Sequence, residues 1–364
     1  MRQVGCRDQS LSADLKSRSR SGAVAAAILG LAVHGIPNDA RADEGGVSFW
    51  VPGFFGSLAA TPQQPGFSLA LIYYHTSVSA GGDVAFARQV NRGHITANFN
   101  GNVNANLDAK VDLGLAAPTY VFAERFLGGQ AAVSMLIPYG RNRTSVDATL
   151  TGALGPLGFT VSGSREDAIT GFGDLAPMFN VRWNAGVHNF MTYITGNLTT
   201  GRYDPTRLAN LGIGHNAIDA GGAYTYFNPQ TGHEFSATLG FTYNFENVHT
   251  DYQNGIDMHL DLGASQFLTK QLQVGLVGYW YNQLSCDSGA GDRVGCFESR
   301  VAGIGPQIGY IIPISNEYQG YINLKGYKEF AAEHRPDGWN VWLTFAISPA
   351  ASREAAAKKA IITK

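Results

Sequence analysis

Apolar and polar residues alternate one by one along much of this chain. The clearest case runs from Ile256 to Leu262, where the apolar residues hold the even positions and Asp257, His259 and Asp261 hold the odd ones. A repeat of two residues separates the two sets onto opposite faces of a β-strand, whereas a helix would mix them. Residues 234–245 repeat the pattern. The sequence therefore predicts neighbouring strands that each have one apolar and one polar face.

Twelve such segments follow one another between residues 67 and 347. The connections alternate between short turns and long loops rich in Gly, Asn, Asp and Ser, and residues 142–171 would form the longest loop. Short periplasmic turns and long extracellular loops are typical of an outer-membrane β-barrel, so we expect an all-β, antiparallel transmembrane barrel of about 12 strands. The expected strands are 67–79, 94–122, 131–141, 172–183, 187–199, 218–228, 234–245, 255–267, 272–284, 300–312, 318–330 and 339–347.

The second expected strand, 94–122, is too long for a single membrane crossing, which takes about 9 to 11 residues. We therefore expect part of it to project beyond the bilayer or to bend, with Pro118 as the natural place for the bend.

The charge of the chain argues for a barrel with a polar interior. Charged residues make up 15% of the sequence, and the net charge of −2 excludes a nucleic-acid-binding surface. A charged side chain that faces lipid near the midplane costs about 2 to 4 kcal/mol, so the polar faces of the strands must point into the lumen. They could contact a solute or, alternatively, pair with one another to hold the barrel's shape. The candidate lumen-lining residues are Asp174, Arg182, Glu234, Asp257, His259, Asp261, Asn323 and Lys325.

The N-terminus predicts export. Basic residues precede the apolar run 22–36 and the small-residue site Ala40-Arg41-Ala42, so we expect a signal peptide at 1–42. A transmembrane helix is the alternative, but the run is shorter than the roughly 20 residues required and contains His34. At the other end, residues 348–364 would form a periplasmic tail.

The segment 43–66, between the leader and the barrel at 67–347, is too apolar to lie loose in the periplasm. We predict that it folds into the lower mouth of the barrel as a plug or constriction. The alternative is a periplasmic anchor that packs beneath the barrel without obstructing it. The residues that would form the constriction are Phe49, Trp50, Phe54 and Phe55.

After removal of the leader, Cys286 and Cys296 are the remaining cysteines, and both lie in one predicted outer loop. Export to an oxidising compartment favours a disulfide, and a two-cysteine metal site is the alternative. The histidines show no metal spacing and the chain has no GxSxG elbow, so we expect no catalytic residue, metal or cofactor.

Several segments together resemble the outer-membrane proteins associated with the meta-pathway of phenol degradation. The resemblance begins at 44–60, 65–67 and 73–82, continues at 115–120, 138–140 and 171–174, and ends with the run Trp339-Asn340-Val341-Trp342-Leu343-Thr344-Phe345. It implies a monomeric barrel of twelve strands that acts as a passive channel for small, often hydrophobic or aromatic, compounds. It does not imply that the protein degrades phenol.

Three functions remain open at the level of sequence. The first is an outer-membrane channel for passive uptake of small hydrophobic or aromatic solutes, with outer-membrane lipid and the barrel assembly machinery as partners. The second is a general or ion-selective porin, and the third is a barrel enzyme or adhesin. Because no catalytic motif is found, we favour a non-enzymatic channel in the bacterial outer membrane.

Overall fold

The computed structural model describes residues 48–81, 101–154, 157–292, 296 and 298–350. The expected signal peptide, residues 94–100 of the second expected strand and residues 351–364 of the expected tail lie outside these ranges.

The described chain is built from antiparallel strands. Twelve of them form a closed barrel in which each strand pairs with its neighbours and β1 closes the ring by pairing with β13. No helix in the described ranges is long and apolar enough to cross a membrane. The strands are β1 Gly66–Gly81, β2 Gly101–Phe126, β3 Gly129–Leu154, β4 Leu157–Phe172, β5 Ala176–Ala185, β6 His188–Asn197, β7 Ala217–Asn228, β8 His233–Asn244, β9 Asp257–Phe267, β10 Leu272–Gln283, β11 Arg300–Pro313, β12 Tyr318–Glu333 and β13 Asp337–Pro349.

The long loop predicted at 142–171 is wrong. There β3 continues to Leu154 and turns back as β4, and these two strands pair from Tyr139 to Leu154. The lower part of β3 pairs instead with β5, from Gln130 to Leu136. The barrel therefore keeps twelve members, while β4 belongs to a hairpin that extends one side of the wall beyond the rim. The sequence hid this hairpin because the polar runs 141–145 and 162–167 interrupt the alternation of apolar and polar residues within it.

The outer surface of the barrel is apolar, as a lipid-facing wall requires. Along β8, Phe235, Leu239, Phe241 and Tyr243 are exposed, while the residues of the opposite face, from Glu234 to Asn244, are buried. Amphipathic rings prefer the two membrane interfaces, and exposed rings of this kind recur on other strands. They are Phe67, Tyr73, Phe245, Trp280, Tyr310, Trp339 and Phe345.

One irregular stretch of the wall lies between β2, β3 and β5. The β2–β3 ladder pairs Ala116 with Ile137 and resumes only at Thr119, so that Pro118 falls in the gap. Pro177 sits in the adjoining β3–β5 ladder. Because proline has no N–H to donate, hydrogen bonding between strands is weakened at this point. Pro118, where the sequence suggested a bend, lies at this interruption, and above it β2 continues beside the hairpin to Gly101, so that part of this long strand projects beyond the rim.

Residues 48–65 precede the barrel in sequence and lie inside it. We call this stretch the lumen segment. From Gly66 at the periplasmic end of β1 it climbs along the inner face of β9, since Ser57 contacts Ser265, Gly53 contacts Asp261 and Trp50 contacts His259. Its N-terminal end therefore points towards the extracellular side.

Candidate functional site in the barrel lumen

The wall holds the lumen segment through the segment's backbone. The carboxylate of Asp261 accepts hydrogen bonds from Gly53 N at 2.8 Å and Phe55 N at 3.1 Å. From the other side, Lys325 Nζ donates to the carbonyl oxygens of Gly53 at 2.5 Å, Phe54 at 3.1 Å and Phe55 at 2.9 Å. One anion and one cation thus satisfy the donors and acceptors of a single turn. Charge-assisted bonds of this kind are the stronger ones.

Nearer the periplasm the same mode of contact continues. Leu58 N donates to Glu234 Oε1 at 2.9 Å, and Ala60 N donates to Thr225 Oγ1 at 3.0 Å. Gln63 N donates to Gln130 Oε1 at 3.0 Å. In this lower part the wall therefore binds the segment through its main chain.

The upper part of the segment is anchored by an aromatic stack. The rings of Trp50 and His259 lie 3.7 Å apart and nearly parallel, and His259 Nε2 lies 2.9 Å from Asp219 Oδ2. His259 and Asp219 are both buried. A methyl group at Gly240 would lie 2.1 Å from Tyr193 Oη and 2.5 Å from His259 Nε2, so the absence of a side chain there makes room for this cluster.

The other predicted lumen residues lie in three settings. Asp257 accepts from Tyr281 Oη at 2.7 Å and Asn244 Nδ2 at 2.8 Å in the outer half of the lumen. Arg182 lies near the periplasmic end, where it donates to Asn180 Oδ1 and, at 3.3 Å, to Gln63 Oε1. Asn323 Nδ2 donates to the carbonyl of Ile308 at 3.2 Å.

Asp174 has a different place, since it lies just before β5 at the outer end of the wall. Its carboxylate accepts from Gly201 N and Ile213 N, each at 2.8 Å, and from Asn197 Nδ2 at 3.1 Å. It therefore fastens the outer loop 198–216 to the barrel.

Asp261 and Lys325, which could have paired directly across the interior, are bridged by the backbone of the lumen segment. The hydrogen-bond partners of Asp261, Lys325 and Glu234 include backbone groups of the lumen segment. The structure brings Phe49, Trp50, Phe54 and Phe55 into the lumen beside these charges.

Asp219, Tyr193 and Thr225 belong to the site and were not among the residues predicted from sequence. Asp219 stands in the small-residue run 217–223, where the apolar face is hard to recognise. The alternation of strand faces could have identified Asp219. It lies opposite Thr242, which belongs to the polar face of β8, and on the same face of β7 as Gly221.

Two cavities meet at the irregular part of the wall. A small cavity of about 80 Å³ lies on the lumen side, between the segment and the wall, and a larger groove of about 620 Å³ opens on the outer side. Ser134, Met178 and Thr195 line both. On the lumen side the walls are Phe49, Trp50, Val51, Phe54, Ala117, Leu136 and Ala176.

An ion pair and a disulfide stabilise the outer loops. Arg207 donates to both oxygens of Asp167 in β4, at 2.6 and 3.1 Å, and this guanidinium holds the pKa of the Asp167 carboxyl below its ordinary value. Cys286 and Cys296 form a disulfide, which confirms the predicted pairing and leaves neither sulfur as a thiolate ligand.

Residues 69–345 match the model of the protein family described as "Putative MetA-pathway of phenol degradation". The chain belongs to this family. The match covers nearly the whole barrel, from the start of β1 to the end of β13, and it confirms the resemblance found in the sequence. A comparison with curated protein sequences gave no match.

Among solved structures, this family member is similar to an outer membrane channel from Pseudomonas putida F1, with a TM-score of 0.57 and 13% identity over 83% of this chain and 100% of that one. A FadL homologue from Pseudomonas aeruginosa gives a TM-score of 0.40 and 9% identity over 85% and 96% of the two chains. The first likeness confirms the fold, a closed antiparallel barrel of twelve strands. With its apolar outer surface, this barrel belongs in the bacterial outer membrane.

Proposed function

We propose that the protein is an outer-membrane channel for the passive uptake of small hydrophobic or aromatic compounds. In this proposal the lumen segment is the constriction of the channel. The observation that carries it is the way in which the segment is held: wall side chains bind its backbone, while its aromatic side chains border the free space beside the wall.

The lining of the inner cavity favours apolar cargo. Phe49, Trp50, Val51 and Phe54 of the segment face Leu136 and Met178 of the wall, and the polar groups there are the hydroxyls of Ser134 and Thr195. Thr195 Oγ1 already donates to the carbonyl of Pro177 at 2.8 Å. A mostly apolar pocket with few polar groups is the usual form of a binding site for a small molecule.

The same place offers a route between the lumen and the membrane. The outer groove and the inner cavity share three lining residues, and the ladder between β2 and β3 is interrupted beside them at Pro118. A hydrophobic solute that leaves through the wall would avoid an aqueous exit. This favours a channel for poorly soluble compounds over the alternative of a general porin, which needs a wide polar passage.

Uptake into cells tests the proposal. A porin-deficient Gram-negative host that expresses the protein should take up a radiolabelled aromatic hydrocarbon or phenol faster than the host with empty vector. The protein should accelerate uptake of a sugar of similar size much less. Equal acceleration of both solutes would indicate a porin, and no acceleration of either would overturn the proposal.

A reversible disulfide between the lumen segment and the wall provides the matched control. Ser57 Oγ and Ser265 Oγ lie 2.7 Å apart, so the pair S57C and S265C should form a disulfide that fixes the segment to β9. If solute passage requires the segment to move, the oxidised double variant should take up the aromatic solute slowly. Reduction of the disulfide should restore the rate of uptake. The single variant S57C and the wild-type protein, treated identically, account for effects of the reductant on Cys286–Cys296.

A further inference from the structure

Three hydroxyl side chains occupy one level of the wall at its irregular stretch. Thr119 of β2 is the register partner of Ser134 in β3, and Ser134 is also the partner of Met178 in β5. Met178 pairs in turn with Thr195 in β6. Register partners share a face of the sheet. Thr195 is buried whereas its neighbour Ile194 is exposed, so the shared face is the lumen face. We call Thr119, Ser134 and Thr195 the hydroxyl row.

The hydroxyl row is accessible from both sides of the wall. All three residues line the groove on the outer side, and Ser134 and Thr195 also line the inner cavity. Thr119 and Ser134 are half-buried. A solute that moves between the inner cavity and the outer groove therefore passes directly over these side chains.

Two of the three hydroxyls have unused hydrogen-bonding capacity. Thr195 Oγ1 donates to the carbonyl of Pro177 at 2.8 Å. The hydroxyls of Thr119 and Ser134 make no hydrogen bond to any described residue. An unpaired hydroxyl beside lipid or an apolar cavity is unfavourable, and a hydrogen bond to a solute removes that cost. A solute with a donor or acceptor therefore gains a contact here that a hydrocarbon cannot make.

The space around the hydroxyl row is uncharged. Among the described residues, none of those that line the inner cavity or the outer groove has a charged side chain. The walls are mainly rings and aliphatic chains, such as Phe54 and Leu136 on the lumen side and Phe67 and Phe179 on the outer side. An ion that enters an apolar space without a counter-ion loses its hydration and gains no compensating contact. The site therefore suits an electrically neutral solute.

We infer that the hydroxyl row recognises neutral solutes that carry one hydrogen-bonding group on an apolar body, such as aromatic alcohols and ketones. Ser134 is the specificity-determining residue, because it lines both cavities and its hydroxyl is unpaired among the described residues. The inference rests on the proposed function and narrows it: the channel binds a neutral polar group of its hydrophobic solute and rejects carboxylates. The polar group would bond to Ser134 and Thr119 while the apolar body lies against the aromatic residues of the lumen segment.

Three probes of similar size test the inference. Benzyl alcohol has a neutral hydroxyl, ethylbenzene has a methyl group in its place, and benzoate has a negative charge. Each radiolabelled probe is equilibrated with proteoliposomes that contain the full-length protein, and uptake by protein-free vesicles of the same lipid is subtracted. We expect benzoate to bind much more weakly than benzyl alcohol.

Two variants locate the site, and a third serves as control. S134A and T119V should each lower the affinity for benzyl alcohol about fivefold, the factor expected for one neutral hydrogen bond, and leave the affinity for ethylbenzene unchanged. S164A, which removes an exposed hydroxyl on the outer hairpin, should leave the affinity for both probes unchanged. Using two separate positions guards against misfolding of one variant, and heat-modifiable gel migration checks that each barrel is folded.

Three results would overturn the inference. One is an unchanged affinity for benzyl alcohol in both S134A and T119V. Another is an equal loss of affinity for ethylbenzene in these variants, which would indicate altered packing. The third is binding of benzoate as tight as that of benzyl alcohol.

The inference and the proposed function can fail separately. If binding of benzyl alcohol depends on the two hydroxyls but cells that express the protein take up no aromatic solute, the proposed function fails while the site stands. If these cells take up benzyl alcohol and ethylbenzene but binding depends on neither hydroxyl, only the inference fails.

Discussion

At the scale of single residues, Lys325 has the largest predicted effect on the lumen segment. Its ammonium group binds three carbonyl oxygens of one turn. Removing one partner of a buried charged contact costs about 3 to 5 kcal/mol, so K325M should loosen the segment and raise the conductance of single channels in planar bilayers. K328M changes an exposed lysine on the same strand and should leave conductance unchanged. A closed, wild-type-like K325M channel would contradict the role of Lys325.

Gly240 offers a second test at the residue scale. An added methyl group would press on Tyr193 and His259, and both rings are held in place, His259 by the stacked ring of Trp50. Overpacking typically costs about 1 to 3 kcal/mol. G240A should therefore lower the thermal stability of the barrel and displace Trp50, which a changed tryptophan emission would report.

The matched control is Gly222, the lipid-side neighbour of Gly221 in β7. A methyl group there would meet its nearest atom, the Met191 carbonyl oxygen, at 3.5 Å, which is ordinary contact. G222A should behave like wild type. If both alanine variants are equally stable, the packing described around His259 is wrong.

At the scale of elements, the outer hairpin β3–β4 and the loop 198–216 hold each other through Asp167 and Arg207. Because Arg207 lowers the pKa of Asp167, the contact stabilises the folded loop fully above the ordinary pKa of a free aspartate, about 3.9. The contribution is lost as the pH falls through the lower folded pKa. Limited proteolysis should cut the loop of wild type faster in strong acid, whereas D167N should be cut fast at neutral pH as well. Equal protection of both proteins at pH 7 would contradict this.

The disulfide fixes another outer loop without supporting the barrel itself. The chain-entropy account gives a loop of this size about 3 kcal/mol, and that energy concerns the segment between the two cysteines. The C286S/C296S variant should show faster protease cleavage near residue 290 and an unchanged melting temperature of the barrel. A large fall in barrel stability would show that this loop supports the wall.

At the scale of the whole molecule, strand parity explains why the sequence predicted so much of the fold. In β9 the charged residues Asp257, His259 and Asp261 could face lipid only at high cost, so their direction followed from the pattern alone. The same rule failed for β4, where the unbroken polar run Ser162-Gly163-Ser164-Arg165-Glu166-Asp167 interrupts the alternation. A strand that projects into water has no face in contact with lipid, so its sequence need not alternate between apolar and polar residues.

The sequence predicted which residues belong to the site, but not which contacts they make. The pattern pointed Asp261 and Lys325 into the lumen and marked the aromatic residues near Trp50 as too apolar for the periplasm. It could not show that these two charges bind one turn of the lumen segment, because that depends on how far the segment climbs along β9. How far the segment extends along the lumen depends on its packing against the wall. The alternation of strand faces contains no information about that packing.

The central claim, that the lumen segment narrows a channel, is tested most directly by single-channel conductance. The chain without residues 48–60 should form a folded barrel with a conductance several times that of the full-length protein, since the backbone and side chains that fill the lumen are gone. An unchanged conductance, measured on a barrel whose folding is verified by gel migration, would contradict the account.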